Sequence, residues 1–196
     1  MKTAFNRSAA AGLLICMGCV VYLKVGGVAG AVLFSAGLWF VVNFEAELFT
    51  GRVTRADYSW TQKLIMLLCN VAGAAGCGLL AGLCLPEIRE AAQAMMRNLA
   101  LQGPLVLLWK AVMCGICMYL ATTRVGTESR LPFVVYGVAL FILSGYAHSI
   151  ALAGYAAIAR EVAWWILPLA AAGNALGSYL MKWLLAKKPE GSSGRG

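Results

Sequence analysis

Charged residues are scarce in this sequence: only 12% of its 196 residues are Asp, Glu, Lys or Arg. Soluble domains carry about twice that share. Apolar residues make up 61% of the chain and occur in runs of about twenty, the length at which an α-helix crosses the hydrocarbon core of a bilayer. A soluble fold would offer no core large enough to bury such runs. The composition therefore excludes a soluble globular protein and predicts an all-α integral membrane protein.

Histidine and acidic residues are scarcer still, with one histidine and 8 Asp or Glu against 16 Lys or Arg. The basic residues stand singly in short connections, without the aromatic-interleaved basic face of a nucleic-acid-binding protein, so no nucleic-acid partner is expected. The seven cysteines lie in apolar runs, and their odd number argues against a disulfide framework. A lone histidine provides no haem, metal or catalytic cluster. No metal or cofactor is expected, and an enzyme is disfavoured.

Six hydrophobic segments are predicted, and short connections with glycine, proline or arginine separate them. Eleven basic residues fall on the side of the N-terminus and four on the opposite side, which places both termini in the cytoplasm and the chain in the inner (plasma) membrane. Residues 1–186 are expected to form a single transmembrane channel domain, with halves at about 1–86 and 103–186. Residues 187–196 are predicted to be a disordered cytoplasmic tail. The segments are 9–23, 28–49, 63–85, 103–122, 132–158 and 162–186.

Short patterns recur in the two halves. An N-x-x-G pattern stands at residues 70–73 and again at 174–177, and a C-x-x-C pattern stands at 16–19 and again at 114–117. Because each half contains an odd number of spans, the halves are expected to have opposite topologies. Inverted repeats of this kind place a permeation site near the membrane midplane, at broken helices.

Acidic residues interrupt the second segment near its end. Glu45 and Glu47 precede Thr50 and Gly51, a composition that favours a helix that breaks and bends towards a cavity. The alternative is that the segment simply ends here at the cytoplasmic surface, with both carboxylates in water. The sequence leaves both readings open.

Two basic or titratable residues fall inside later segments. His148, in the fifth segment, can donate a hydrogen bond or a proton to an anion, or it can bond a backbone carbonyl within the helix packing. Lys110, in the fourth segment, can extend to the interface or line a vestibule and attract anions.

These motifs resemble those of the formate/nitrite transporter family of pentameric anion channels. The stretch E-L-F-T-G at residues 47–51 is similar to the family's break after the second helix, and S-G-Y-A-H-S-I-A at 144–151 is similar to its histidine motif. Asn174 and Lys110 match further family positions. The resemblance implies six transmembrane helices in an aquaporin-like inverted 3+3 repeat, with helices two and five broken. It also implies a homopentamer embedded in membrane lipids.

The resemblance assigns roles to individual residues. His148 is expected to be the central proton donor, Thr50 to gate the inner mouth, and Glu45 and Glu47 to act as gating or structural acids. The remaining residues of the substrate pathway are expected to be Lys110, Asn174 and Ser149. Two hydrophobic constrictions are implied, an inner one at Leu38 and Phe49 and an outer one at Phe34 and Phe141.

Four positions depart from the family pattern. Ala147 stands where the family has glutamate, Leu152 and Gly115 stand where it has asparagine, and Arg52 replaces the asparagine after the T-G pair. The expected function is a channel for small weak-acid anions such as formate, nitrite, hydrosulfide or a short monocarboxylate, carried as the protonated acid or with H⁺. The alternative is an aquaporin-like facilitator of water or small neutral solutes. A membrane enzyme and a structural subunit are the rival classes.

Overall fold

The structure, a computed structural model, describes residues 2–123 and 129–186. Within these two ranges the chain forms helices joined by short connections, and no strand occurs there. A 3-10 turn at Pro86–Ile88 is the one non-α helix among them. The predicted tail 187–196 and the connection at Arg124 lie outside the described residues. The α-helices are α1 (Lys2–Val25), α2 (Gly27–Asn43), α3 (Phe49–Arg52), α4 (Trp60–Cys84), α5 (Arg89–Leu101), α6 (Gly103–Thr122), α7 (Leu131–Leu143), α8 (Ser149–Ala159) and α9 (Ile166–Leu184).

Within the described ranges, three helices are long and apolar enough to cross a membrane: α1 over Phe5–Val25, α4 and α6. The outer face of α4 exposes large apolar side chains, among them Leu64, Leu68, Leu80 and Leu83. Exposure of such side chains to water is unfavourable by roughly 1.5–3 kcal/mol each, a cost that a lipid environment removes. The all-α fold and the apolar surface agree with the predicted membrane protein.

Three further apolar helices are shorter. Helices α2, α7 and α8 contain 17, 13 and 11 residues. At about 1.5 Å per residue, none of them spans a hydrocarbon core of about 30 Å alone. Each predicted segment of 28–49 and 132–158 is divided, because α2 ends at Asn43 before α3 begins, and α7 ends at Leu143 before α8 begins.

Glycines bring the long helices into backbone contact. Helix α1 packs against α4 at Gly12 and Gly73, and α6 packs against α9 at Gly115 and Gly177. A Cβ atom at any of these four positions would overlap a backbone carbonyl oxygen of the partner helix. Small residues at helix contacts are typical of membrane bundles, where close packing replaces the hydrophobic driving force.

The hydropathy runs leave residues 87–102 as a connection, but the structure forms α5 there. Ala92, Met96 and Leu99 recur at helical spacing and are buried, whereas Arg97 is exposed and pairs with Glu161. This helix is amphipathic rather than continuously apolar, so a search for apolar runs of spanning length does not detect it. It packs on α8 and covers one mouth of the bundle.

Candidate functional site: a polar centre between two vestibules

The two breaks in the helices have the same backbone geometry. Glu45 and Gly145 follow the ends of α2 and α7 in the left-handed region, with φ of 53° and 67°. The next residue donates its N–H to a carbonyl five positions earlier, from Ala46 to Val41 at 2.9 Å and from Tyr146 to Phe141 at 2.8 Å. The chain then runs extended before α3 and α8 begin.

Asn70 of α4 closes the first break. Its Oδ1 accepts a hydrogen bond from the Phe49 N–H at 2.8 Å, and its Nδ2 donates to the carbonyl oxygens of Ser8 at 2.7 Å and Glu47 at 2.8 Å. The amide is fully buried. Asn70 therefore satisfies the backbone groups that the interrupted helix leaves free.

Asn174 of α9 closes the second break with the same pattern. Its Oδ1 accepts from the Ser149 N–H at 2.8 Å, and its Nδ2 donates to the carbonyl oxygens of Ala111 at 2.9 Å and Ala147 at 2.8 Å. The side chain of Asn174, which is predicted to be part of the substrate pathway, therefore makes its hydrogen bonds with backbone groups. Asn70 received no role from the sequence, although the repeated N-x-x-G pattern contains the signal for it.

His148 and Thr50 meet at the centre of the bundle. The Nε2 atom of His148 lies 2.9 Å from the Thr50 hydroxyl oxygen, and both side chains are buried. The Nδ1 atom of His148 accepts the Ala151 N–H at 3.1 Å. Because a backbone N–H can only donate, the neutral imidazole carries its proton on Nε2 and donates it to Thr50.

Ser149 follows His148 as the first residue of α8. Its backbone is held by Asn174, and its buried Oγ has no hydrogen-bond partner in the described part of the chain. The structure therefore places three of the predicted pathway residues, His148, Ser149 and Asn174, next to one another.

Aromatic rings lie against the histidine. The rings of Phe141 and His148 stack with centroids 5.6 Å apart, and Phe34 meets Phe141 edge to face at 5.8 Å. Phe34 and Phe141 are the pair that the resemblance assigns to the outer constriction. Leu38, one turn from Phe34 on α2, is buried in the same hydrophobic cluster.

Phe49 is not in that cluster. It packs with Val53, Met66 and Ala171 in a second cluster between α3, α4 and α9. Leu48 instead belongs to the same hydrophobic cluster as Leu38, and it also lines a cavity on the α3 side of the bundle. Leu38 and Phe49 thus belong to two different hydrophobic clusters, and Leu48 shares the cluster of Leu38.

A cavity of about 200 Å³ lies on the α5 side of His148; we name it the outer vestibule, and the cavity on the α3 side the inner vestibule, after the orientation expected from the sequence. Lys110 lines it, and its Nζ lies 3.8 Å from the position that a Cβ of Gly145 would occupy. Ala147 and Leu152, the two apolar replacements, also line it. The lining therefore contains one lysine among both polar and apolar side chains.

The inner vestibule, a larger cavity of about 680 Å³, lies on the α3 side. Both predicted acids line it. Glu47 is held by Arg52 at 3.2 Å and by the Tyr58 hydroxyl at 2.7 Å, whereas the exposed Glu45 lies 3.8 Å from Arg7. Burial, followed by the hydrogen bond to Glu47, raises the pKa of Tyr58. Glu45 and Glu47 thus belong to the wall of this mouth and do not reach His148.

An all-helical membrane fold, with a polar centre between two vestibules, defines a transporter or channel. The family model described as Formate/nitrite transporter matches residues 1–187, and the chain belongs to this family. The family and the solved neighbours are transporters and channels, which confirms the predicted resemblance and the prediction that the chain is not an enzyme.

Solved structures share the fold. A pentameric formate channel with formate bound aligns with a TM-score of 0.79 at 19% identity, over 93% of this chain and 94% of that one. An FNT family ion channel aligns with a TM-score of 0.75 at 22% identity, over 93% and 90%. No curated protein matches the sequence.

Proposed function

We propose that the chain is a channel for small monovalent weak-acid anions, with His148 as its proton donor. The observation that carries the proposal is the buried hydrogen bond between His148 and Thr50, placed between two vestibules and beside the Phe34–Phe141 pair. Titratable side chains inside membrane bundles are energetically costly and rare, and they commonly mark substrate or proton pathways. Membership of the transporter family supports the same function.

The charges at the two mouths favour anions. Lys110 lines the outer vestibule, and several arginines line the inner one. A cleft whose lining has an excess of charge of one sign raises the local concentration of the opposite ion. The N-terminal end of α8 at Ser149 adds partial positive charge at the centre. Formate, nitrite, hydrosulfide and short monocarboxylates all have the single charge that this arrangement suits.

Protonation lets the anion pass the apolar walls. A bare anion between Phe34, Phe141 and Leu38 loses its hydration without a counter-charge, which is very unfavourable. His148 first takes up a proton from the vestibule on Nδ1, which replaces the hydrogen bond from the Ala151 N–H. The resulting imidazolium transfers its Nε2 proton to the anion and becomes a neutral imidazole again, so one proton accompanies each neutral acid that crosses. We assign Leu48, instead of Phe49, to the inner constriction with Leu38.

The proposed architecture in the membrane is an inverted 3+3 repeat of six spans with helices two and five broken. The equal geometry of the two breaks, and the equal bonding of Asn70 and Asn174, support this arrangement. Residues 1–186 then form one domain, and the face with Arg7, Arg52 and Lys182 is cytoplasmic with both termini. The inner membrane and a homopentameric assembly complete the proposal, the latter by analogy with the pentameric formate channel.

Uptake into proteoliposomes tests the proposal. Formate, nitrite, hydrosulfide, acetate and lactate are offered across a range of pH to wild type and His148→Ala. Thr50→Val and Thr50→Ser form a matched pair, because only serine retains the hydroxyl that accepts from Nε2. Wild-type uptake that rises at low pH, fails in His148→Ala and persists in Thr50→Ser supports the weak-acid channel. Passage of water or a neutral solute without any anion uptake would establish the facilitator instead.

A further inference from the structure

Basic side chains from five separate parts of the chain converge on the inner vestibule. They come from α1, α3, the connection after α3, the residue before α7 and α9. Glu45 and Glu47 are the acidic residues of the same lining, so cationic groups outnumber carboxylates by five to two. The basic residues are Arg7, Arg52, Arg55, Arg130 and Lys182.

Three of these cations have a carboxylate close by. Glu47 pairs with Arg52 at 3.2 Å, and Glu45 lies 3.8 Å from Arg7. Arg55 holds Asp57, which lies outside the lining, through two hydrogen bonds at 2.9 and 2.5 Å. This contact lowers the pKa of Asp57, which therefore remains ionised at neutral pH. The charges of these three cations are largely balanced.

Arg130 and Lys182 have no such balance among the described residues. Lys182 donates to a backbone carbonyl, that of Thr54 at 2.6 Å. The side chain of Arg130 makes no hydrogen bond or ion pair within the described ranges, and its Nε is buried without a partner there. Among the described residues, therefore, two positive charges line a cavity of about 680 Å³ without a carboxylate paired to them.

The size and the charge of this cavity exceed what a monovalent anion needs. Small-molecule sites commonly have volumes of about 300–1,000 Å³, and this vestibule lies within that range. Four of its five cations are arginines, whose planar guanidinium groups bind phosphate oxygens in pairs. Beyond the vestibule, Leu48 and Leu38 close the way with apolar side chains, so a multiply charged anion cannot continue towards His148.

We propose that the inner vestibule is a binding site for a multivalent phosphate compound, which Arg130 and Lys182 hold and whose presence blocks the pore. Binding of the phosphate compound depends only on the basic side chains of the inner vestibule and not on the proposed channel function. The block rests on the proposed channel function, because it closes that path from the side of Arg7 and Lys182. The site would link anion flow to the phosphate compounds present at that face.

Pyrophosphate is the probe for binding, measured by calorimetry and thermal unfolding on the full chain in detergent. We expect the affinity to fall about tenfold in Arg130→Gln and in Lys182→Gln, since each change removes a charge-assisted hydrogen bond, and further in the double variant. Lys182 is exposed, so its variant is expected to fold. Arg97→Gln is the matched control, because Arg97 is an exposed cation on the α5 side. Sodium chloride at equal ionic strength controls for screening.

Three results would overturn the site: no pyrophosphate binding at millimolar concentration, equal loss in Arg97→Gln, or unchanged affinity in the double variant. Nanodiscs with and without phosphatidylglycerol separate the two possible sources of phosphate. If the anionic lipid stabilises the protein through Arg130 and Lys182 and pyrophosphate does not compete, a free phosphate compound is excluded as the ligand.

Flux is measured separately, in vesicles with pyrophosphate on one side at a time. Inhibition from the face of Lys182, relieved in Lys182→Gln, is the expected result. Binding without any inhibition of an active channel would overturn the block. Binding by a protein that passes no anion would leave the site intact and refute the channel function instead.

Discussion

The side-chain amides of Asn70 and Asn174 make the same three hydrogen bonds in the two halves of the chain. Each accepts from the first N–H of a short helix and donates to two carbonyls, one in the break and one on the neighbouring long helix. Such a break in a membrane is stable only if the exposed backbone groups find partners within the protein. The two asparagines thus support the extended backbone that places Thr50 and His148 at the centre.

Asn174→Ala is expected to lower the free energy of unfolding by about 3–5 kcal/mol, since it leaves several buried backbone groups without partners, at roughly 1–3 kcal/mol each. Ser178→Ala is the matched control on the same helix, because it removes one hydrogen bond, to the Gly115 carbonyl at 3.0 Å. Chemical unfolding in detergent measures both. Equal losses in the two variants would show that Asn174 contributes no more than an ordinary buried hydrogen bond.

Gly177→Ala is expected to separate α6 from α9, because the added Cβ would overlap the Val112 carbonyl oxygen. A cost of roughly 1–3 kcal/mol or more is typical of overpacking. Gly76→Ala, also in a helix, has open space around the new Cβ and is expected to be neutral or slightly stabilising. Thermal unfolding followed by circular dichroism compares the two, and a Gly177→Ala protein as stable as wild type would contradict the close packing.

Leu48→Ala is expected to widen the inner constriction and raise anion flux, with poorer discrimination between formate and larger monocarboxylates. Phe49→Ala is expected to lower stability by about 3–5 kcal/mol without widening the path, because Phe49 packs between α3, α4 and α9. Substrate-series uptake and unfolding midpoints are measured for each variant. The reverse pattern would restore Phe49 to the constriction.

Lys110→Gln is expected to reduce uptake at low anion concentration several-fold and to weaken its dependence on ionic strength, because the cation of the outer vestibule is removed. Arg97→Gln serves as the control, since that guanidinium is paired with Glu161 at 2.9 Å. Uptake rates are compared between low and high salt. A salt dependence that Lys110→Gln leaves unchanged would argue against steering by this residue.

The pair of Arg97 and Glu161 gives a prediction for pH. The hydrogen bond from Arg97 lowers the pKa of Glu161 below its ordinary value of 4.5. A carboxylate with a lower pKa in the folded state stabilises the fold above its ordinary pKa, and this contribution disappears as the pH falls through the folded-state value. Glu161→Gln should therefore be slightly less stable than wild type at neutral pH and equal to it in acid. Because both groups are exposed, the difference in unfolding temperature is expected to be small.

Apolar run length predicted the long helices well. The segment 103–122 coincides with α6, and 63–85 differs from α4 by a few residues at its start. Such runs are decisive because a membrane helix must be apolar throughout its length. Helix α5 escaped prediction because its apolar residues are spaced for one buried face only.

The two patterns that suggested an internal repeat differ in what the structure makes of them. The two N-x-x-G patterns are 104 residues apart, and their asparagine amides make equivalent hydrogen bonds. The carbonyls of Ser8 and Ala111, which accept from these amides, are 103 residues apart. The two C-x-x-C patterns are offset by 98, so they do not occupy matching positions. Cysteine is a small apolar residue that packs in many places, and its recurrence says little about symmetry.

The side-chain direction at the first break was also beyond the sequence. Leu48 and Phe49 are adjacent and both apolar, so composition cannot tell which of them faces the cavity. The extended backbone of Leu48 before α3 decides it, and Asn70 fixes that conformation from another helix. The motif alone therefore does not tell which of the two adjacent side chains lines the cavity, and the constriction itself stays a prediction.

The two asparagines also bear on how the ribosome and the insertion machinery deliver this chain. Asn70, which accepts the hydrogen bond of the Phe49 N–H, is synthesised 21 residues after it. Asn174, which accepts that of the Ser149 N–H, is synthesised 25 residues after it. Until those residues arrive, each break carries bare amide and carbonyl groups that the bilayer interior does not tolerate. Neither break can then be completed until the asparagine that bonds it has been synthesised and has packed against it.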